Sequence, residues 1–224
     1  MSQTAIVIGA SGLTGSSLTA TLLSDPAISL VKVVVRKPLP AEHPKLQTIV
    51  LSFDDLPALQ AALQGDILFC CIGTTIKKAG SQKAFQEVDR EIPLRCAEIA
   101  KRNGVKQFLL ISAIGANVAA RNFYLRTKGQ TEQGIARSGF ESIHIFRPSL
   151  ILGERDEFRV SEKIGAVIMQ ITSFLLQGRL KKYRGIEAQA IASAMKKIAL
   201  RQIKGTHIYE SDEIQGIADN PEAR

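Results

Sequence analysis

Tyr124 and Lys128 stand four residues apart at the start of a segment with a helical pattern, residues 123–137. That spacing places both side chains on one face of a helix. A free tyrosine has a pKa near ~10, too high for an efficient base at neutral pH, and a nearby ammonium favours the phenolate. Ser112 precedes them at the end of an apolar run, where its hydroxyl is suited to polarising a carbonyl. Because such a pair also arises by chance, its meaning depends on the fold around it.

A glycine-rich turn at the N-terminus indicates what that fold binds. Thr4–Gly15 is TAIVIGASGLTG, an apolar run followed by glycines at 9, 12 and 15, after which a helical pattern begins. In a dinucleotide-binding turn the first glycine allows the bend, the second lets a pyrophosphate approach the backbone, and the third lets the helix pack on the strand. The free amides of the helix N-terminus then face the phosphates. An ordinary strand-to-helix turn is the alternative, since the motif alone is weak evidence.

The end of the second predicted strand bears on cofactor choice. An acidic residue there accepts a hydrogen bond from the adenosine ribose, whereas arginine favours a 2′-phosphate. This chain has Val35-Arg36-Lys37-Pro38 and no acid. The guanidinium of Arg36 offers a planar fork for phosphate and Lys37 adds charge, so NADP(H) is favoured over NAD(H). Two ordinary surface charges are the alternative.

Strand and helix patterns alternate along most of the chain, which predicts an α/β fold with a doubly wound parallel sheet. Ligands then lie at the carboxyl ends of the strands, where Gly9, Arg36, Gly73, Ser112 and Arg147 all fall. The predicted strands are 5–8, 30–35, 47–51, 67–72, 108–111 and 142–146, with a possible last strand at 207–210. The predicted helices follow Gly15 and cover 56–63, 82–103, 123–137, 187–200 and 211–218.

The bulk properties limit the class of protein. The 224 residues are 45% hydrophobic and 22% charged, which predicts a single globular domain with a sizeable core. Together with the alternating strands and helices, this predicts one Rossmann domain over 1–224. After Pro148 the rhythm changes, and residues 149–224 are predicted to add a small cap on the substrate side. An apolar helical stripe within it comprises Val160, Ile164, Val167, Ile168, Ile171 and Leu175.

Charge and cysteine content predict the partners and the compartment. The net charge is +8, but the basic residues are scattered and aromatics make up only 5%, so no nucleic-acid partner is expected. No apolar run is long enough for a membrane span, and no metal-ligand spacing appears. The three cysteines and the lack of an evident signal peptide predict a cytoplasmic protein with reduced thiols. The protein is expected to be a monomer or a homodimer.

Taken together, the glycine turn and the set Ser112, Tyr124 and Lys128 resemble the short-chain dehydrogenases/reductases, and the glycine spacing resembles their extended and atypical branches. Four further segments narrow the resemblance to the atypical reductases related to the Tat-interacting protein: FCCIGTT at 69–75, VDR at 88–90, YLRTKGQTE at 124–132 and FRPSLILGER at 146–155. The resemblance runs from residue 4 to about 155 and fades beyond it.

The resemblance implies NADP(H) binding and roles for particular residues. It places the cofactor against Gly9, Ser11, Gly12, Leu13, Thr14, Gly15, Arg36, Lys37, Phe53, Cys71, Ile72, Gly73, Thr74, Tyr124, Lys128, Arg147 and Pro148. Ser112, Tyr124 and Lys128 are then catalytic, and Arg184 is a candidate substrate contact.

Three positions depart from the family or leave alternatives open. Ser52 stands where relatives often place an aspartate beside the adenine, so either Asp54 replaces it or Phe53 packs on the ring. Asp89 stands where extended relatives commonly carry an asparagine, and a helix-surface or ion-pair role is an equal alternative. Cys70 and Cys71 are interpreted as small apolar strand residues rather than reactive thiols.

These observations predict an NADP(H)-dependent oxidoreductase that interconverts a carbonyl and an alcohol on a small molecule. Tyr124 exchanges the proton, Ser112 hydrogen-bonds the carbonyl oxygen, and Lys128 holds the ribose and tunes Tyr124. A non-enzymatic NADP(H) sensor is one alternative, although a sensor has no need of a proton donor. A nucleotide-sugar epimerase or dehydratase is another, although such enzymes usually have a larger C-terminal domain.

Overall fold

The protein is built on a seven-stranded, wholly parallel sheet. The computed structural model describes residues 2–153 and 178–220. The strands of the sheet are β1 (Gln3–Ile8), β2 (Ile28–Val35), β3 (Leu46–Val50), β4 (Ile67–Cys70), β5 (Gln107–Ile111), β6 (Ser142–Arg147) and β9 (Gly205–Glu210), and a separate two-stranded parallel pair comprises β7 (Ile151–Leu152) and β8 (Ile186–Glu187). The order in the main sheet is β3-β2-β1-β4-β5-β6-β9. Strand order therefore reverses between β1 and β4, where such sheets bind ligands.

Helices cover both faces of the sheet, as the alternating pattern predicts. They are α1 (Leu13–Leu23), α2 (Leu56–Ala62), α3 (Ile76–Ala79), α4 (Gln82–Gln86), α5 (Ile92–Arg102), α6 (Phe123–Ala136), α7 (Ala188–Arg201) and α8 (Ser211–Asp219). A π-helical turn at Glu87–Glu91 joins α4 to α5, and a 3₁₀ helix spans Gly178–Tyr183. Sequence periodicity predicts the long helices but not α3, the π turn, the 3₁₀ helix or the β7–β8 pair.

The side chains of each strand alternate between two cores. In β1, Ala5 and Val7 join a cluster with α1 and α7, whereas Ile6 and Ile8 join a cluster with α2 and α5. Both faces of the strand are thus apolar, which is why the central strands are continuous apolar runs in the sequence. The doubly wound α/β fold is confirmed.

The described residues near the C-terminus belong to this same architecture. Strand β9 pairs in parallel with β6, and α7 packs against α1 in the first core. The predicted apolar stripe between Val160 and Leu175 lies outside the described residues. The cap predicted for 149–224 stays a prediction.

Candidate functional site

The turn between β1 and α1 is constrained by the protein's own backbone at two of its three glycines. Gly9 has φ +85°, and a Cβ there would lie 2.6 Å from the carbonyl carbon of Cys71. A Cβ at Gly15 would overlap the carbonyl oxygen of Gly9. Both positions therefore exclude a side chain whether or not a ligand is present.

Gly12 differs from them. Apart from its chain neighbours, a Cβ on Gly12 would meet a single described atom, the Gly9 oxygen at 3.3 Å. Gly12 is the N-cap of α1, and no side chain caps the helix there. The first amides of α1 therefore lack a side-chain acceptor at the N-cap, and the position in front of Gly12 is open, as the binding of a pyrophosphate there would require.

The other predicted residues of the turn surround this helix end. Ser11 is exposed and Thr14 is buried, so of these two only the Ser11 side chain faces solvent. Leu13 packs under Gly153, where a Cβ would come within 3.0 Å of a Leu13 methyl carbon. The start of α1 is thus held against the end of β7.

Arg36 and Lys37 follow β2 directly and are both exposed. Val34 near the end of β2 pairs with Ile8 at the end of β1, so the two basic residues emerge beside the glycine turn. Neither makes an ion pair with a described residue. The roles predicted for Arg36 and Lys37 toward the adenosine ribose stay predictions.

Phe53 is largely buried in the second core. Its carbonyl oxygen accepts a hydrogen bond from the Arg95 guanidinium at 3.0 Å, and Arg95 also pairs with Asp54 at 3.1 Å and Glu87 at 3.3 Å. Arg95 thus fixes the loop after β3. It also pairs with Asp54, one of the two residues predicted to contact the adenine.

The segment Cys71–Thr74 continues β4 along the edge of β1. The Cys71 amide donates to the Ile8 oxygen at 2.9 Å, next to the Gly9 turn. Burial raises the pKa of the Cys70 thiol to about 12, and burial also raises the pKa of Cys71. The thiols are therefore protonated near neutral pH and unsuited to nucleophilic chemistry.

Helix α6 carries Tyr124 and Lys128 on one face. Asn122 caps its N-terminus by accepting a hydrogen bond from the Leu125 amide at 3.1 Å. The Lys128 ammonium is almost wholly buried and lies 2.7 Å from Oδ1 of the buried Asp89. Burial lowers the pKa of Lys128, but attraction to Asp89, with smaller help from Tyr124, outweighs it, so the pKa lies above its ordinary value. Lys128 is therefore a buried group that carries its positive charge at neutral pH.

Two residues from the run α4–π turn–α5 complete this region. Asp89 pairs with Lys128, and its Oδ2 accepts the Thr74 amide hydrogen bond at 2.9 Å. The Phe85 ring is fully buried, with its centroid 5.5 Å from that of Tyr124. The ion-pair alternative for Asp89 is confirmed by its contact with Lys128. Phe85 falls within the predicted helix 82–103, and that prediction does not include its ring contact.

Ser112 follows β5 directly. Its amide donates to the Phe146 oxygen at 2.7 Å, which fixes the residue at the carboxyl edge of the sheet. Its buried hydroxyl has no hydrogen-bond partner among the described residues. A buried hydroxyl without a partner is costly, and a ligand carbonyl would satisfy it.

Arg147, Pro148 and Arg184 lie further along the same edge. Arg147 makes a two-pronged ion pair with Glu132 of α6, at 2.9 and 2.5 Å. The Pro148 oxygen accepts the Ile114 amide at 3.0 Å, and the Arg184 oxygen accepts the Ser149 hydroxyl. These contacts support loops and strands, and the ligand-binding roles of the three residues stay predictions.

Comparison with known proteins agrees with this geometry. Residues 9–173 match a family model described as NAD(P)H-binding. The chain is 36% identical to the protein HTATIP2 of Rattus norvegicus over 164 residues, which covers 71% of this chain and 67% of the relative. It is 33% identical to the mitochondrial protein FMP52 of Candida albicans over 210 residues, which covers 89% of each chain. The resemblance to the atypical reductases related to the Tat-interacting protein is confirmed.

Solved structures add support for the fold. The Bordetella bronchiseptica enzyme WbmH in complex with NAD+ has a TM-score of 0.69 at 17% identity, covering 98% of this chain and 80% of that one. The UDP-glucose 4-epimerase of Thermotoga maritima, solved with UDP-glucose, has a TM-score of 0.69 at 13% identity, covering 96% and 81%. At such identities the match concerns the fold alone.

The comparison overturns one prediction. Sequence analysis predicts a cytoplasmic protein, whereas relatives from Candida albicans, Coccidioides immitis and Emericella nidulans are named as mitochondrial proteins. The cytoplasmic prediction is therefore wrong on this comparison. It rested partly on reduced thiols, which do not distinguish the cytoplasm from the mitochondrion. Within the described ranges, none of the helices combines the length and apolarity that crossing a bilayer requires.

Proposed function

This chain belongs to the NAD(P)H-binding family, and we propose that it is an NADP(H)-dependent oxidoreductase that interconverts a carbonyl and an alcohol on a small molecule. One continuous set of contacts carries the proposal. Gly9 abuts the backbone of Cys71 and Ile72, and a Cβ on Gly73 would lie 3.7 Å from the Lys128 ammonium. The candidate dinucleotide turn and the candidate catalytic helix are therefore joined by three consecutive residues, 71–73.

The residues at this junction suit the cofactor of the family. The uncapped N-terminus of α1 and the open space at Gly12 would hold the pyrophosphate. Gly73, Thr74 and Lys128 would lie along the nicotinamide half. When bound, the nicotinamide supplies or accepts the hydride, and the protein supplies position and charge.

The proton has its own pathway in this proposal. The Tyr124 phenol gives a proton to the carbonyl oxygen during reduction, or takes one from the alcohol during oxidation. Its neighbour Lys128, one helical turn away, favours the phenolate that forms when the proton leaves. The Ser112 hydroxyl donates a hydrogen bond to the same oxygen, which would satisfy a group that the described residues leave without a partner.

The preference for NADP(H) rests on Arg36 and Lys37. Both are exposed beside the glycine turn, and no described acid pairs with either. A guanidinium can bind a 2′-phosphate through two parallel hydrogen bonds, which a ribose hydroxyl cannot match. We therefore expect tighter binding of NADPH than of NADH.

Turnover of a substrate panel tests the proposal. The purified protein is incubated with NADPH and a set of aldehydes, ketones and quinones, and loss of cofactor absorbance is followed. Turnover of any member, abolished in Tyr124→Phe, supports the proposal. NADPH binding without turnover would favour the sensor hypothesis, and conversion of a UDP-sugar with NAD⁺ would favour an epimerase.

A further inference from the structure

The helical run from Gln82 to Arg102 carries a pair of residues whose spacing matches that of Tyr124 and Lys128. Phe85 and Asp89 are four residues apart, and so are Tyr124 and Lys128. The Phe85 ring lies 5.5 Å from the Tyr124 ring, and the Asp89 carboxylate lies 2.7 Å from the Lys128 ammonium. Each member of the α6 pair is therefore contacted by one member of the second pair.

We propose that Phe85 and Asp89 are the positioning residues of this site, Phe85 for the Tyr124 ring and Asp89 for the Lys128 ammonium. The assignment rests on the proposed function, because it concerns the groups that would exchange the proton and hold the cofactor. Neither residue needs to touch a substrate. Each acts through the residue that it contacts on α6.

The surroundings of Asp89 require a carboxylate. Its side chain is fully buried, and each oxygen faces a donor: Oδ1 faces the Lys128 ammonium and Oδ2 faces the Thr74 amide at 2.9 Å. An asparagine has the same shape but only one acceptor, so its NH₂ group would face one of the two donors. A buried charge that loses its partner is strongly destabilising. The site is therefore built for aspartate and not for its isostere.

The backbone at Asp89 supports the same conclusion. Asp89 lies in the middle of the π turn Glu87–Glu91, and such turns are rare and frequent at functional sites. Its carbonyl oxygen accepts the Thr131 hydroxyl of α6 at 2.8 Å. Asp89 therefore joins three parts of the site: the π turn in which it lies, α6, and the segment Cys71–Thr74 through the Thr74 amide.

The charged state of Lys128 depends on Asp89. The groups that face the ammonium are Asp89 from the π turn, Tyr124 from α6 and Cys70 from β4. Burial alone lowers the pKa of Lys128, and attraction to Asp89 is the main opposing effect. Without the carboxylate, Lys128 loses its proton at a lower pH, and Tyr124 then loses its positive neighbour.

The first test compares Asp89→Asn with Glu98→Gln, which removes an exposed acid from α5 that pairs with Arg102. The titration of Lys128 is followed by NMR of its Cε–Nζ group, and NADPH affinity is measured from pH 7 to pH 10. In Asp89→Asn we expect the pKa of Lys128 to fall, because the carboxylate that opposes the effect of burial is gone, and NADPH affinity to drop about tenfold as Lys128 loses its proton. In the unmodified protein and in Glu98→Gln, the affinity for NADPH should change little between pH 7 and pH 10.

An Asp89→Asn protein whose Lys128 titrates as in the unmodified protein would overturn the assignment of Asp89. This measurement needs no turnover, so it stands even if the panel of carbonyl compounds gives none. Failure of the panel alone would overturn the proposed function and leave the assignment of Asp89 intact.

The second test concerns Phe85 and decides the proposal even if Asp89→Asn does not fold. Phe85→Leu is compared with Phe108→Leu, since Phe108 is also fully buried and pairs with another ring, that of Phe140 at 5.3 Å, away from Tyr124. Both variants should lose stability to a similar degree. Only Phe85→Leu should lower kcat, by about tenfold, with KM and NADPH affinity nearly unchanged. Equal losses of kcat in the two variants would show that Phe85 is merely structural.

Discussion

Helix α6 makes two ion pairs one turn apart, Lys128 with Asp89 and Glu132 with Arg147. They differ in whether the basic group keeps N–H donors for a ligand. Lys128 pairs with Asp89 at a single contact of 2.7 Å, and its side chain is 7% exposed. Glu132 pairs with Arg147 through two parallel hydrogen bonds, and the Arg147 side chain is 21% exposed. A lysine ammonium has three N–H groups, so Lys128 keeps donors for a ligand after it has paired with Asp89. The two N–H groups on one side of the Arg147 guanidinium are instead both bound by the Glu132 carboxylate.

The location of the two pairs explains this difference. The Asp89–Lys128 pair lies under Gly73, next to the loop that follows β4. The Glu132–Arg147 pair joins α6 to the end of β6, two strands away from β4 in the sheet. Two ion pairs one turn apart on the same helix therefore contact different parts of the sheet, the first at the candidate ligand site and the second at the end of β6.

The largest effect is expected from breaking each pair with the same substitution. Lys128→Met and Arg147→Met each leave a buried carboxylate without its partner, so each should lower the free energy of unfolding by about 3 kcal/mol. Only Lys128→Met should also lower turnover, by at least ~100-fold, and weaken NADPH binding. Unfolding curves and steady-state kinetics on the folded proteins measure both effects. An Arg147→Met protein as inactive as Lys128→Met would remove the distinction between the two pairs.

The glycine turn offers the next largest effect. Gly12→Val places a side chain where the pyrophosphate would approach, while only one described atom lies near that position. We expect a loss of NADPH affinity of at least ~100-fold with the fold retained, because an unmatched phosphate loses several charge-assisted hydrogen bonds. Calorimetric titration measures the affinity and circular dichroism the fold. Normal NADPH binding by Gly12→Val would mean that the turn is only structural.

Cofactor preference should respond more modestly. Arg36→Asp replaces a phosphate-binding group by one that repels phosphate and accepts from a ribose hydroxyl. A charge-assisted hydrogen bond contributes about 1.5–3 kcal/mol, so the unmodified protein should prefer NADPH by at least about tenfold. Arg36→Asp should narrow or reverse that preference, as competition binding will measure. Equal affinities for NADPH and NADH in the unmodified protein would contradict the role of Arg36.

The smallest effect on NADPH binding is expected at the edge of the sheet remote from the turn, where only stability should change. His144 of β6 is fully buried beside His207 and Tyr209 of β9, and burial, followed by repulsion from His207, lowers its pKa from 6.5 to about 4. The unfolded chain therefore binds a proton more readily than the folded one, so stability falls as the pH drops from about 6.5 to about 4. The maximum loss is about 3 kcal/mol. Urea unfolding at several pH values should show this loss in the unmodified protein and a smaller one in His144→Gln, with NADPH affinity at pH 7 unchanged.

The fold could be predicted from local sequence patterns, and so could the candidate site residues that lie at strand ends or on one helical turn. The glycine turn, Arg36 and the segment Cys71–Thr74 each lie at the carboxyl end of a predicted strand, and the parallel sheet brings those strand ends together. Tyr124 and Lys128 are likewise linked by one helical turn. Patterns of this kind need no knowledge of distant contacts.

The remainder of the site depends on contacts that no local pattern encodes. Asp89 meets Lys128 across 39 positions of the sequence, and Phe85 meets Tyr124 across the same separation. An aspartate in a helix is usually a surface residue, and only the π turn and the packing of α6 bury this one. The pair of Arg147 with Glu132 is a further contact of this kind, since the position of Arg147 at a strand end predicts a cofactor contact and not a partner on α6.

The central claim is that Tyr124 exchanges the proton while Lys128 keeps it able to do so. Single-turnover hydride transfer from bound NADPH to a carbonyl substrate from the panel tests it most directly, in the unmodified protein and in Tyr124→Phe. We expect equal NADPH affinity in the two proteins and a rate at least ~100-fold lower in Tyr124→Phe. A Tyr124→Phe rate close to that of the unmodified protein would contradict the role of Tyr124 in proton exchange.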